Sequence, residues 1–231
     1  MNRKKNAKDL ILYTLKTKAS LKQVVFRKTR EIFQDFREEG EKLATELKTE
    51  MEKIDHDVVI EFFDKGENEF HIKFGGDVLV FFMHTNVFDF DNSHSIWKSS
   101  YVKEDELRVY CGMINMYNFL ADSFKYNRIN DIGYLVARLF VNKDLHYFVE
   151  GKRQLGFLYN DFNNEVIDNK KIREIIESAI LYSMSFDLLT PPYDTMKEVS
   201  VNEVVEATNA MNIKTGKRLG FKFLADDNNI E

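Results

Sequence analysis

The densest grouping of potential metal ligands in the chain is His84, Asp89, Asp91 and His94, with His71 on a neighbouring segment. Imidazoles with carboxylates suit zinc, iron or manganese, and a metal held by them can turn water into hydroxide for hydrolysis. Strand arithmetic opposes the grouping. In one unbroken strand from Val78, His84 shares the even face with Val80 and Phe82, whereas Asp89 and Asp91 fall on the odd face. Only a bend near Thr85 and Asn86 would join them, and His94 lies on the turn beyond. A metal-dependent hydrolase using these four residues is therefore kept as an alternative. The simpler expectation is a strand end whose aspartates face water, with a turn opening at Asp91, Asn92 and Ser93.

Other chemistry is thinner still. Cys111 has His84 and His146 as conceivable partners for a nucleophile, yet Leu107, Val109, Cys111 and Met113 alternate onto one apolar face, which predicts a buried, inert thiol. Gly216 and Lys217 lack both the first glycine of a phosphate-binding loop and the Ser or Thr after its lysine. Arg108 and Arg138 each put a cation inside an apolar run. Pointing inward, either would need a carboxylate or an anionic ligand, which makes the two the candidate ligand-binding residues; pointing outward, neither needs anything. No catalytic or cofactor motif stands out, so no catalytic residue and no cofactor is expected, and the enzyme question leans towards no. The single cysteine excludes an intramolecular disulfide and a cysteine-rich zinc module.

Charge carries the strongest pattern. Residues 1–30 hold ten bases (Arg3, Lys4, Lys5, Lys8, Lys16, Lys18, Lys22, Arg27, Lys28, Arg30) against Asp9 alone. The whole chain of 231 residues has a formal net charge of −5, so a basic arm precedes an acidic body. Residues 31–55 reverse the sign, with nine acids against four bases. On a helix this order opposes the macrodipole, so intrinsic helix stability does not explain it. Three uses compete: a solvated surface helix; antiparallel self-association, in which the basic start of one helix faces the acidic end of its twofold mate; and a nucleic-acid adaptor that releases counterions from phosphate. Little aromatic interleaving beyond Tyr13 and Phe26, together with the acidic body, disfavours the last.

The elements that must position these groups follow from periodicity. Leu21, Val25, Ile32, Phe36, Leu43, Leu47, Met51 and Ile54 form one helical stripe, with Ser20 as N-cap and a shorter helical segment before it; Gly40 leaves open one helix or two. Period two then takes over. Strands are predicted over 57–64, 69–74, 78–83, 95–102, 107–116, 134–141, 145–150 and 155–159, with 119–131 ambiguous between a helical turn and a loop. Helical spacing returns over 166–189, Pro191 and Pro192 end it, Ser200 and Glu203 make a capping box for a helix to about residue 211, and 216–223 reads as a last strand before an acidic tail.

Short turns between strands require antiparallel neighbours. The predicted class is α+β: a mostly antiparallel sheet of six to eight strands, flanked by a long N-terminal helix and one or two C-terminal helices. Its parts are a helical arm (1–55), a sheet body with a packing helix (56–189) and a C-terminal segment of the same domain (190–231). With neither a secretory signal nor 18 consecutive apolar residues, a soluble cytoplasmic protein without membrane insertion is expected. The functional expectation is a non-catalytic binding or regulatory module, homodimeric through the N-terminal helix and engaging a partner protein or small ligand.

Overall fold

A computed structural model describes residues 6–210 except Arg153, Leu188, Leu189 and Pro191. Arg3, Lys4, Lys5, the strand expected over 216–223 and the tail after it lie outside the described residues, whereas the helix expected to reach residue 189 ends at Met184, with Ser185 as its C-cap.

The N-terminal stripe folds into one rod: α1 (Ala7–Thr14), a π-helical turn at Leu15–Ala19, and α2 (Ser20–Met51). Its 45 residues extend about 67 Å at 1.5 Å per residue. Asn6 caps the rod, its Oδ1 accepting the Asp9 amide at 2.8 Å. Ser20 is no N-cap, because helix continues on both sides of it; its hydroxyl donates to the Leu15 carbonyl at 3.3 Å. Gly40 leaves the rod unbroken. A Cβ there would lie 3.1 Å from Phe70 Cε2 and 3.2 Å from Ile72 Cδ1, so the bare backbone lets α2 settle on the sheet. Packing thereby outweighs a propensity cost of about 1 kcal/mol.

The sheet is a six-stranded meander, β1 (Ile60–Asp64), β2 (Glu69–Phe74), β3 (Asp77–Met83), β4 (Cys111–Leu120), β5 (Tyr134–Asn142) and β6 (Tyr147–Gly151), in sequence order and antiparallel throughout. Gly66 (φ 109°) and Gly75 (φ 58°) make the first two turns, in the left-handed region that glycine enters without steric cost. α2 and α6 (Asn169–Met184) cover one face, where Ile32, Phe33, Phe36, Leu43, Ile172, Ile175 and Ile176 join Phe70, Leu79, Phe81, Ile114, Leu139 and Val149 in the main core. Asp168 caps α6 by accepting the Lys171 amide at 2.8 Å. The helix therefore starts after Val166, which makes an isolated bridge to His146 instead.

Two expected strands, and the start of a third, are helical turns. Residues 95–102 become a 3-10 turn (Ser95–Lys98) and α3 (Ser100–Glu104), and 107–110 are largely taken by a second 3-10 turn (Glu106–Val109), so β4 begins only at Cys111. Side chains start each turn: His94 Nδ1 accepts the Ile96 amide, Ser99 Oγ that of Val102, and Asp105 Oδ1 that of Leu107. Residues 155–159 fall in α5 (Gln154–Leu158) and the turn after it. The ambiguous stretch resolves into the end of β4, a short α4 (Ala121–Lys125) and a loop. The capping box is present before α7 (Val201–Ala210), where Ser200 Oγ accepts the Glu203 amide at 3.1 Å and Glu203 accepts that of Ser200 at 2.7 Å. No helix among the described residues is long and apolar enough to cross a membrane.

Candidate interaction surfaces

The insertion between β3 and β4 covers only part of the second sheet face. Ile96, Val102, Val109 and Tyr110 from it, with Val25 of α2, bury Cys111, Phe140, Phe148 and Phe162 in a second cluster. Towards β1 and β2 that face stays open. A groove of about 640 Å³ runs there, walled by Val58, Val59, Phe63, Val78 and Phe124, with Lys65, Lys73 and Lys125 opening into it together with Asp57 and Asp122. His71 lies in its floor, only 4 % exposed, with Nε2 2.6 Å from Glu69 Oε1 and its ring 5.0 Å from that of Phe124. Burial holds its pKa below the ordinary value of 6.5, and the Glu69 carboxylate only partly offsets this. Lys73 is matched by Glu61 at 3.1 Å, while Lys65 and Lys125 have no carboxylate partner among the described residues. Period two had already put Glu69, His71 and Lys73 on one face of β2. What was missing from the sequence was that α4 folds back over them.

The four candidate metal ligands are not brought together. His84 Nδ1 accepts the Asn86 amide at 3.0 Å, and its ring meets Phe88 edge-on at 4.8 Å. Asp89 accepts the amide of Phe90 beside it. Asp91 accepts both the amide and the hydroxyl of Ser93, which holds its carboxyl below the usual range. His94 lies against the Phe90 ring, with Nε2 3.4 Å from Glu150. Among the described residues no group of three or more His, Cys, Asp or Glu side chains could hold a metal ion. Cys111 is fully buried, burial pushes its thiol pKa up, and no thiolate is available near neutral pH.

Both candidate arginines are occupied. Arg108 lies over the Tyr101 ring at 4.1 Å and donates to the Tyr101 carbonyl at 2.7 Å and to Glu104 at 2.9 Å. Burial pushes the Tyr101 hydroxyl up to about 12, and that hydroxyl donates to Asp144 at 2.9 Å. Arg138 pairs with Glu150 on the neighbouring strand. Both are thus half-exposed cations fixed by carboxylates.

The basic arm is different. α1 has no buried residue, and Leu10, Ile11, Leu12, Tyr13 and Leu15 are each 54–59 % exposed. Body contact begins at the next turns, where Lys18 and Lys22 sit over the Tyr110 ring at 5.3 Å. Lys28 pairs with Glu31 and Arg30 with Glu67, whereas Lys8, Lys16 and Arg27 have no carboxylate partner among the described residues. In the acidic half, Glu39, Glu46, Glu50 and Glu52 meet Lys42, Arg173, Lys53 and Lys48. Asp35 does not share in this. Partial burial and the charges of Glu38, Glu31 and Glu39 raise its pKa above the ordinary 3.8.

The chain matches no protein-family model, no curated protein and no solved structure.

Proposed function

We propose that the chain is a non-catalytic binding or regulatory module that works as a homodimer through its N-terminal helix and engages a partner protein or small ligand on the open part of its sheet. The observation that carries this reading is the bare end of the rod. Five large apolar side chains in six positions, Leu10, Ile11, Leu12, Tyr13 and Leu15, contribute nothing to the core of their own chain. Such a contiguous exposed group marks an interaction site rather than a packing residue left over. The groove beside His71 and Phe124 supplies apolar walls with a few polar groups, the general make-up of a ligand pocket. The residues a hydrolase or a thiol enzyme would have used are engaged in capping, turns and core packing instead.

Sedimentation of the full chain at micromolar concentration tests the dimer, with a chain beginning at Ser20 as the comparison. The full chain is expected at twice the monomer mass and the shortened one at the monomer mass. A monomeric full chain would refute the reading.

A further inference from the structure

The outward side of α2 is a single polar stripe. Arg27, Arg30, Gln34, Glu38, Glu41 and Thr45 recur at helical spacing and are all exposed. Its first part is cationic, its last part anionic, and Gln34 stands between. We propose that two copies of the chain pair antiparallel along this stripe with the twofold axis at Gln34, a register that rests on the self-association reading above.

The arithmetic of an isologous helix pair fixes the rest. Each residue faces the one equally far on the other side of the axis. Arg30 then meets Glu38 of the second copy, and Arg27 meets Glu41. The same axis carries the exposed apolar group at 10–15 past the end of α2 at Met51, level with the turn that follows it in the second copy, where Ile54 is 77 % and Val58 38 % exposed among Lys53, Asp55, His56 and Asp57. Neighbouring axes fail on both counts. Centred on Arg30, the apolar group faces the polar run 45–50 and Arg27 faces Phe33, which is buried. Centred on Glu38, Arg30 faces Glu46, already held by Arg173, and the apolar group lies level with 61–66, most of which belong to β1 and are paired into the sheet. A parallel pair stacks like charges on each other.

The π-helical turn fits this arrangement. It carries more residues per turn than the α-helix, so it rotates the start of the rod and brings Leu15, Leu12 and Ile11 rather than Lys16 into line with the stripe. Exposed ion pairs contribute mainly orientation and specificity. The stripe therefore sets the register, and the apolar ends supply affinity. The surplus of negative charge around Asp35 would be offset by the incoming arginines.

Gln34→Cys in the full chain tests the axis directly, because a cysteine on a twofold axis meets its own copy; Thr45→Cys is the off-axis control. The native Cys111 is fully buried and stays silent. Under mild oxidation the Gln34→Cys chain is expected to run as a covalent dimer on a non-reducing gel and the Thr45→Cys chain as a monomer. Reversing Arg27 and Arg30 to Glu is expected to weaken the dimer about tenfold or more in Kd, and adding Glu38→Arg and Glu41→Arg to restore it. If the wild-type chain sediments as a dimer but Gln34→Cys does not cross-link, or the fourfold reversal does not restore affinity, the register is wrong while self-association stands. If the wild type is monomeric, both fall together.

Discussion

Gly112 shows how little room individual residues have. A Cβ there would lie 1.9 Å from Thr29 Oγ1 and 2.7 Å from Thr29 Cβ. Thr29 is itself locked, its hydroxyl donating to the Val25 carbonyl at 2.8 Å in a buried position. β4 and α2 thus touch backbone to side chain, and only glycine permits it. Gly112→Ala is expected to cost about 1–3 kcal/mol in a urea titration, the usual range for overpacking; an unchanged midpoint would mean that the helix can lift freely. Asp35 presents the opposite case, a residue whose charge works against the fold. Its raised pKa means that the folded state holds the proton more tightly than the unfolded one, so stability falls as pH rises from the ordinary 3.8 through the folded value. At neutral pH the full penalty is present. Asp35→Asn is therefore expected to raise Tm at pH 7, with the gain shrinking as the pH falls through the raised folded value and gone once the pH is below the ordinary 3.8. A constant gain across that range would point to something other than charge.

Among the elements, the rod divides into a part that belongs to the core and a part that does not. α2 buries Val25, Thr29, Ile32, Phe33, Phe36, Glu39, Gly40, Leu43 and Ala44, whereas α1 and the π-helical turn bury none. Removing residues 1–19 is expected to leave Tm nearly unchanged at concentrations where both chains are monomeric, since none of residues 7–19 is buried, Lys22 keeps its place over Tyr110 when Lys18 is lost, and Ser20 becomes free to cap the new helix end. A large fall in Tm would show that the extension supports the fold. The elements also mark the limit of periodicity. The helical stripe was legible because its apolar residues recur from Leu21 to Ile54, and the strand at 69–74 because its alternation is strict. At 95–102, 107–110 and 155–159 the apolar runs are short, and a short apolar run serves a strand or a helical turn equally well. Caps from His94, Ser99 and Asp105 settled the first two, and each was visible as a residue without its role being visible.

For the whole molecule, the β1–β2–β3 and β5–β6 neighbours follow from turns too short for any crossover, which made the antiparallel α+β class predictable, whereas the segments 84–110 and 121–133 are long enough for one and left the β3–β4 and β4–β5 pairings to the tertiary structure. What could not be predicted was coverage. One face is closed by α2 and α6, the other only where the β3–β4 insertion folds over Cys111, Phe140 and Phe148, and the uncovered remainder becomes the groove. Self-association belongs to this scale as well. If the apolar ends of two rods hold each other, Tm of the full chain should rise with protein concentration, while that of a chain beginning at Ser20 should not. A calorimetric dilution series measures this; identical behaviour of the two chains would remove the rod from the interface.

The sequence by itself determined the polarity of the rod, the face that it buries and the strands that pair by short turns, because each of these is written in residues near one another along the chain. Only the tertiary structure decided that the candidate metal ligands stay apart, that the two arginines are already paired, and that the apolar side chains at 10–15 are left exposed. Those outcomes depend on where distant segments end against one another, as when Tyr110 meets the rod at Lys18 and Lys22 and Gly112 meets it at Thr29, and no local periodicity encodes that distance.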